Sequence, residues 1–188
     1  MKKGIMIGIG ITAILLLIVF WYVGTYNSLV KLNEDVNNKW AQVETQYQRR
    51  VDLIPNLVNT VKGAANFEQK TLTDITNARS QWGSAKTQEQ KVEAANNIES
   101  ALARLLVVVE NYPQLKATQN FLALQDELAG TENRIAIERM RYNEAIQRYN
   151  VIVRRFPSNI AANLFGFQKK DAYFEAAPEA KAVPKVEF

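Results

Sequence analysis

The sequence predicts an all-α protein: an N-terminal transmembrane helix followed by an up-down-up-down four-helix bundle with two long and two short helices. Three observations support this prediction. Twenty consecutive residues near the N-terminus carry no charge. Beyond them, apolar residues recur three or four positions apart in four successive segments, which is the spacing of amphipathic helices. Glycine or proline ends these segments, and short connections favour antiparallel neighbours.

The uncharged run at residues 4–23 reads GIMIGIGITAILLLIVFWYV. As a helix it would be about 30 Å long, which is the thickness of a bilayer core. A cleaved signal peptide is the alternative, but its apolar core has only about 7–15 residues and ends at a small-residue cleavage site. The run is longer than that, and the sequence VGTYNS at its end is a poor site. We therefore expect an uncleaved transmembrane anchor.

The charges around the span predict its orientation. Lys2 and Lys3 precede it in a short N-terminal segment, residues 1–3, and the next charge after it is Lys31. By the positive-inside rule, the N-terminus lies in the cytoplasm and the rest of the chain lies on the other side of the membrane. Aromatic rings favour the membrane interface, and three cluster at the outer end of the span: Trp21, Tyr22 and Tyr26.

A ridge of small residues in the span predicts self-association. Gly4 and Gly8 form a G-x-x-x-G step, and Thr12 extends it by one more turn. Such a ridge lets two membrane helices approach closely, because no large side chain separates their backbones. This face is a candidate for contact with a second copy of the chain; the alternative is a ridge without a partner, because glycine is common in membrane spans.

A run of five apolar residues, LLVVV at 105–109, is a second candidate surface. A helix that is apolar on all sides is either surrounded inside the bundle or covered by a partner. If a partner covers it, Leu106 and Val108 are the residues that we expect at the interface.

Two long amphipathic helices are predicted. The first begins near Leu29 and ends at Lys62, where a cation in the last turn is followed by glycine. The other keeps an unbroken alternation of three- and four-residue steps from Phe121 to Phe156, and Pro157 ends it.

Two shorter helices lie between the long ones. One covers about residues 66–82 and ends at the sequence GSAK. Thr87 and Gln90 form a capping box that opens the next helix, and Pro113 ends it. The antiparallel bundle is therefore predicted to occupy residues 24–156.

Residues 157–188 are predicted to form a C-terminal amphipathic segment and a mobile tail. Four aromatic side chains in this region have two interpretations: they touch the lipid surface beside Lys169 and Lys170, or they pack back on the first helix. These four are Phe165, Phe167, Tyr173 and Phe174.

Pro55 lies in the middle of the first long helix, where it removes a backbone donor and crowds the carbonyl four residues earlier, at a cost of about 3 kcal/mol. Either Asp52 caps a new helix with the proline in its first turn, or one helix continues with a kink. The apolar positions stay in phase through Tyr47, Val51 and Ile54. This continuity favours a single helix kinked at Pro55.

A polar layer is predicted inside the bundle beside the proline. Laying the two long helices antiparallel places Glu138 near Arg49 and Arg50. The same register places Asp52 near Glu132 and Arg134. A buried charge needs a partner, so we expect these residues to pair in one layer. Its expected role is to fix the register of the helices and not to catalyse a reaction.

The composition narrows the possible chemistry. The chain has 188 residues, no Cys and no His, which removes thiol and imidazole nucleophiles, the commonest general base and most zinc and copper sites. The net charge is +4, and the cations are interspersed with Asp and Glu. We therefore expect no nucleic-acid binding, no metal and no cofactor. The sequence indicates no catalytic residue and no small-molecule substrate.

Several ordered blocks of the sequence are similar to a known family. The span is followed by YNSLVKLNEDVNNKWAQVETQYQRRVDLIPNLVNTVKG, TDITNARS and NRIAIERMRYNEAIQRYN, and later by FPSNIAANLFGF and YFEA. Together the blocks resemble the LemA family of bacterial membrane proteins over nearly the whole chain. The resemblance implies a single-pass helical-bundle protein of the bacterial cell membrane, and it supplies no reaction and no catalytic residue. With the orientation above, the bundle lies on the periplasmic side.

These observations predict a membrane-anchored, non-enzymatic helical bundle that acts as an interaction or assembly scaffold. Its expected partners are the lipid bilayer and either further copies of itself or other membrane proteins. A polymer that remodels the membrane is an alternative, and it predicts large ordered assemblies. A hydrolase built on Ser or Thr with Lys is a weaker alternative, because no G-x-S-x-G motif is present.

Overall fold

The computed structural model describes residues 2–63 and 67–174, with side chains from Gly4 onward. Every regular element in this part of the chain is an α-helix, which confirms the predicted all-α class. The predicted mobile tail lies, from residue 175 onward, outside the described residues. The helices are α1 (Lys2–Lys62), α2 (Gln69–Ser84), α3 (Gln88–Val109), α4 (Pro113–Lys116), α5 (Gln119–Arg154) and α6 (Ser158–Leu164).

Helix α1 joins the apolar span directly to the first amphipathic helix. It has 61 residues, and Pro55 lies inside it. The chain therefore has the single-helix arrangement at the proline, and Asp52 does not open a new helix. The Asp52 carboxylate instead accepts a hydrogen bond from Gln48 Nε2 at 2.8 Å. The helix ends at Lys62, where a cation in the last turn suits the negative end of the helix dipole.

Helices α2 and α3 pack against each other in antiparallel directions. Asp74 pairs with Arg104 at 3.0 Å, and further along Gln81 accepts a hydrogen bond from Asn97 at 2.9 Å. The predicted capping box opens α3. Thr87 Oγ1 accepts from the Gln90 backbone N–H at 3.2 Å, and the Gln90 side chain accepts from the backbone N–H of Thr87 at 3.3 Å.

The end of α5 corrects the predicted extent of the last long helix. The sequence pattern extends to Phe156, but α5 ends at Arg154 and the Phe156 side chain is 76% exposed. A residue that precedes proline is disfavoured in the helical conformation, so apolar spacing alone overestimates the length. The peptide bond between Phe156 and Pro157 is cis, and α6 follows it.

The chain divides into two compact units. The first unit combines residues 1–41 with 141–171. Within it, α1 and α5 are antiparallel: Asp35 pairs with Arg148 at 3.0 Å, and the rings of Trp40 and Tyr142 are 5.2 Å apart. Their shared core is apolar, with Leu29, Val36, Ala145 and Ile146 all buried.

The second unit combines residues 42–140 with the chain from Ala172 onward. It contains the rest of α1 and α5 together with α2, α3 and α4. Each helix contributes one apolar face to its core, as the three- and four-residue spacing predicts. Fully buried side chains from this unit include Tyr47, Ile54, Leu57, Ile75, Trp82, Ile98, Leu105, Phe121 and Ile135.

Candidate functional site

A charged side chain lies in the core of the second unit. Arg50, on α1, is only 3% exposed. Its Nη2 forms an ion pair with Glu132 of α5 and donates to the backbone carbonyl of Leu128 at 3.4 Å. Its Nη1 lies 3.6 Å from Oε1 of Glu99 on α3. Three helices therefore converge on one buried guanidinium group.

Glu99 connects this group to a second cation. Its Oε1 accepts a hydrogen bond from the hydroxyl of Tyr47 at 2.7 Å and pairs with Nη2 of Arg139 at 2.6 Å. Arg139 also donates to the Tyr47 hydroxyl oxygen. We call Tyr47, Arg50, Glu99, Glu132 and Arg139 the arginine cluster. Two guanidinium groups meet two carboxylates, so the cluster is electrically balanced.

Aromatic rings cover the arginine cluster. Phe174, from the C-terminal segment, stacks on Tyr47 with 6.2 Å between ring centroids and 13° between planes. The guanidinium of Arg139 lies 4.7 Å from the centroid of the Phe174 ring. Trp82 of α2 closes another side, 5.0 Å from Tyr47, and the ammonium of Lys91 lies 4.3 Å over the Trp82 ring. These contacts shield Arg50 and Tyr47 from water, whereas the Glu132 side chain stays largely exposed.

The environment keeps the Tyr47 hydroxyl protonated. Burial raises the pKa of Tyr47, and the negative charge of Glu99 raises it further, while the positive charge of Arg139 opposes the shift. Burial and Glu99 together outweigh Arg139, so the phenol remains a hydrogen-bond donor. A phenol with a raised pKa is a weaker acid, so the nucleophilic phenolate is even less populated at neutral pH than in a free tyrosine.

The predicted polar layer is correct for one of its residues. Arg50 lies in the arginine cluster, but Arg49, Asp52 and Arg134 are exposed, and Glu138 is half-buried. Successive residues of a helix point about 100° apart, so a residue adjacent in sequence to a buried one faces elsewhere. Arg50 pairs instead with Glu132, which the estimated register places beside Asp52, and with Glu99 of α3.

The sequence did not place Tyr47, Glu99 or Arg139 in this cluster, although the estimated register placed Glu132 beside Asp52. Tyr47 was counted only as an apolar position, although a buried tyrosine hydroxyl requires a partner. Glu99 follows the buried Ile98 on α3, and this carboxylate at the edge of an apolar face was the available signal. Arg139 is one residue from the predicted Glu138. Glu132 extends to Arg50 from an exposed position.

The apolar run at 105–109 is partly covered. Leu105 and Val109 are buried, Leu106 and Val108 are half-buried, and Val107 is 66% exposed. The most accessible residue is thus Val107, between the two that were predicted for an interface. A hollow of about 140 Å³ lies beside it, lined in part by Leu106, Val107, Val109 and Phe121.

The small-residue ridge of the span is open along its length. A Cβ atom added to Gly4 or Gly8 would meet no atom within 4 Å. The hydroxyl of Thr12 donates to the carbonyl oxygen of Gly8 at 3.0 Å, which satisfies the hydroxyl within the helix. The ridge therefore presents no unsatisfied polar side chain to its surroundings.

The apolar part of α1 has the properties of a membrane span. By length and composition it can cross a bilayer, and its side chains are exposed within the described part of the chain. At its C-terminal end, the rings of Trp21 and Tyr22 are 5.1 Å apart. Tyr26 follows one turn later and contacts two aromatic rings from the segment after α6, Phe165 and Phe167.

Comparison with known proteins assigns the chain to a family. A family model described as the LemA family matches residues 39–188. The chain belongs to the LemA family. The match begins inside α1, after the apolar span, so the assignment and the span are independent observations. Together they support a membrane-associated helical protein.

The LemA-family chain is also similar to individual curated proteins. It is 28% identical over 179 residues to magnetosome protein MamQ 2 of Paramagnetospirillum magneticum, covering 81% of this chain and 65% of the relative. It is 28% identical over 169 residues to protein LemA of Metamycoplasma hominis, covering 89% of this chain and 75% of the relative. The chain thus spans slightly less than two thirds of the MamQ protein.

Proposed function

We propose that this LemA-family chain is a membrane-anchored, non-enzymatic scaffold that assembles with copies of itself or with partner membrane proteins. The observation that carries the proposal is the division of α1. Its first part exposes apolar side chains all around, whereas its second part buries one face in a protein core. The same helix therefore contains both a surface suited to lipid and a face that packs in a protein core.

The architecture that we propose for the extramembranous part is an up-down-up-down four-helix bundle. It consists of the second half of α1, α2, α3 and α5. The antiparallel contacts between α2 and α3 support it. So do the antiparallel contacts of α1 with α5 within each of the two units.

The orientation that we propose places the N-terminus in the cytoplasm and the bundle outside the inner membrane, from the positions of Lys2 and Lys3. The absence of cysteine from the chain makes a direct test available. A single cysteine at the exposed Asn96, introduced as Asn96→Cys, should react in intact cells with a maleimide that cannot cross the inner membrane. Labelling only after the cells are lysed would place the bundle in the cytoplasm.

The first proposed assembly surface is the exposed apolar patch around Val107. Replacing Val107 with Lys should reduce the mass of the assembly that full-length protein forms in mild detergent, measured by light scattering. Asn96→Lys is the matched control, because it adds the same charge to an exposed position on α3 about 16 Å away. An unchanged mass for Val107→Lys would exclude this surface from assembly.

The second proposed assembly surface is the ridge of Gly4, Gly8 and Thr12. Gly8→Ile should weaken association of the spans, because the added side chain separates the two backbones. Gly10→Ile is the control on a different face of the same helix, and neither position has an atom of the chain within reach of a new Cβ. Equal crosslinking of both variants in vesicles would exclude the ridge.

Imaging of the full-length protein would distinguish a small complex from a long ordered polymer.

A further inference from the structure

The segment around α6 exposes apolar side chains on one face. We call residues 156–167 the α6 lobe. Ile160 and Leu164 are four residues apart, so they lie on the same face of α6, and both are exposed, Leu164 by 70%. Phe156, just before the helix, is even more exposed. The opposite face packs inward, with Ser158, Ala161 and Ala162 buried. The lobe is therefore amphipathic, with its larger apolar side chains outside.

A glycine turn fixes the end of the α6 lobe. Gly166 has a φ of +76°, a conformation that side-chain-bearing residues rarely adopt. The backbone N–H of Phe167 donates to the Ala162 carbonyl at 2.9 Å, and that of Gly166 donates to the Asn163 carbonyl at 3.3 Å. These two bonds form a Schellman motif, which ends the helix and reverses the chain. The exposed aromatic side chains therefore belong to an ordered turn.

The lobe contacts α1 at the end of the span. The ring of Phe165 lies 4.9 Å from that of Tyr26 and 6.5 Å from that of Tyr22, and the ring of Phe167 lies 5.9 Å from Tyr26. Tyr22 belongs to the uncharged run of residues 4–23. The exposed face of the lobe is thus continuous with the surface where α1 would leave the hydrocarbon core.

The charge of the lobe and its flanks is entirely positive. Residues 154–170 contain two arginines and two lysines and no Asp or Glu, so their formal charge equals the +4 of the whole chain. The side chains of Arg154 and Arg155 are exposed immediately before the lobe. Lys169 is exposed immediately after it, beside Asp171. Cations that flank an apolar face complement anionic lipid headgroups.

The chain after the lobe is tied back to α5. The hydroxyl of Tyr149 donates to the carbonyl of Gln168 at 2.9 Å. The side chain of Asn150 donates to the Lys170 carbonyl at 2.7 Å and accepts from the Lys170 backbone N–H at 2.9 Å. The lobe is therefore held at both ends, and its exposed face has a fixed direction.

We propose that the α6 lobe is a second membrane-contacting element. Its apolar face lies in the interface of the leaflet where the span ends, and Arg154 and Arg155 contact anionic headgroups. The inference rests on the membrane anchoring of the proposed function, and it adds a lipid site outside the span. The continuity with Tyr22 and Tyr26 and the uniform positive charge favour lipid as the occupant over another protein.

The test measures the depth of a fluorescent label on the full-length protein in vesicles of phosphatidylcholine with phosphatidylglycerol. The cysteine-free chain allows one label per variant. Leu164→Cys carries the label on the lobe, and the exposed side chain can be replaced without disturbing the core. Nitroxides on the upper acyl chains should quench this label strongly, and acrylamide in the water should quench it weakly.

Two control positions give the quenching that is expected in lipid and in water. Ile14→Cys, within the span, should be quenched by the lipid nitroxide. Asn38→Cys, on an exposed position of α1 about 22 Å beyond residue 23, should be quenched by acrylamide. Position 164 should resemble position 14, with a several-fold larger ratio of lipid to aqueous quenching than position 38. If position 14 shows the expected quenching and position 164 behaves like position 38, the lobe lies in water and the proposal is wrong. If position 14 is not quenched, the anchor itself fails and the lobe proposal fails with it.

Removing phosphatidylglycerol tests the role of the cations. In phosphatidylcholine vesicles the lipid quenching at position 164 should decrease, because the headgroup attraction is lost while the apolar contact remains. The double variant Arg154→Gln, Arg155→Gln lacks two of the cations. Removal of phosphatidylglycerol should therefore decrease its lipid quenching at position 164 by less. Quenching that is independent of both lipid composition and these arginines would overturn the headgroup part of the proposal.

Discussion

The arginine cluster and the α6 lobe each reverse the usual distribution of side chains. The cluster places charges inside a core, and the lobe places large apolar side chains outside it. They differ in whether these side chains find their partners within the chain. Arg50 and Arg139 find both of their carboxylates within the chain, at Glu99 and Glu132. The exposed Leu164 and Phe156 meet no comparable cover within the described residues.

This difference indicates which of the two regions stabilises the fold and which can bind an external partner. A buried ion network whose two guanidinium groups are balanced by two carboxylates of the same chain favours one helix register. An exposed apolar face beside a membrane span leaves free energy to be gained from an external partner. The arginine cluster, which contains the tyrosine with the raised pKa, is therefore the region that stabilises the fold. The four predictions below test this contrast, from the largest expected effect to the smallest.

Glu99→Gln should lower the free energy of unfolding by about 3–5 kcal/mol, because two guanidinium groups lose their shared carboxylate. Denaturant unfolding of the full-length protein in detergent micelles, followed by circular dichroism, gives the value. The matched control is Glu93→Gln on the same helix, an exposed position at which a change below about 0.5 kcal/mol is expected. A loss below about 1 kcal/mol at Glu99 would mean that the cluster does not specify the fold.

Tyr47→Phe should destabilise the protein by about 1.5–3 kcal/mol, because the hydroxyl donates to a charged carboxylate. The effect should depend on pH. The pKa of Tyr47 in the folded protein lies above its ordinary value of 10.0, so folding favours the protonated form. The corresponding stability is fully present below pH 10 and is lost as the pH rises above it.

The pH dependence is measured as a difference between two proteins, since lysines also titrate in this range. Above pH 10, the unfolding free energy of the original protein should fall more steeply than that of Tyr47→Phe. Parallel curves for the two proteins would show that the hydroxyl is not held in a buried, protonated state.

Gly166→Ala should destabilise the lobe by about 1–2 kcal/mol, because its φ of +76° is unfavourable for a side-chain-bearing residue. Hydrogen exchange of the α6 amides should accelerate, while the arginine cluster is unaffected. Gly166→Asn should have a smaller effect, since asparagine tolerates this conformation better. Equal exchange for all three proteins would argue against the fixed turn.

Arg148→Gln should have the smallest effect, about 0.2–1 kcal/mol. Its ion pair with Asp35 is 3.0 Å long but lies on the surface, where water and salt screen the attraction. The measurement uses the same denaturant unfolding as for Glu99, repeated at high salt, where the loss should shrink further. A loss as large as that of Glu99→Gln would show that burial is not what distinguishes the cluster.

The sequence was sufficient for the features that depend on local spacing. The uncharged run predicted the exposed first part of α1, and the capping box at Thr87 and Gln90 predicted the start of α3. The phase of apolar residues across Pro55 predicted that α1 continues through it. Each of these follows from the periodicity or the end chemistry of a single helix.

The sequence was insufficient where side chains from different helices meet. A shift of one residue rotates a side chain by about 100°, so a register estimated from helix lengths placed Glu138, and not the adjacent Arg139, beside the cations of α1. Glu99 comes from a helix that this estimate did not include. The contact of Phe165 and Phe167 with α1 is one of the two arrangements that the sequence offered. The Gly166 turn that fixes it is not encoded in a periodic pattern.

One hydrogen-exchange experiment on the full-length protein in lipid nanodiscs compares the two regions directly. The account predicts that Glu99→Gln accelerates exchange at residues 132–139 and leaves residues 158–167 unchanged. For Leu164→Asp it predicts faster exchange at residues 158–167 and no change at residues 132–139. A charge on a lipid-facing residue weakens the contact of the lobe with the membrane. If the lobe were in water, replacing a side chain that is 70% exposed would change little. Unchanged exchange at residues 158–167 in Leu164→Asp would therefore contradict the central claim that lipid completes the lobe.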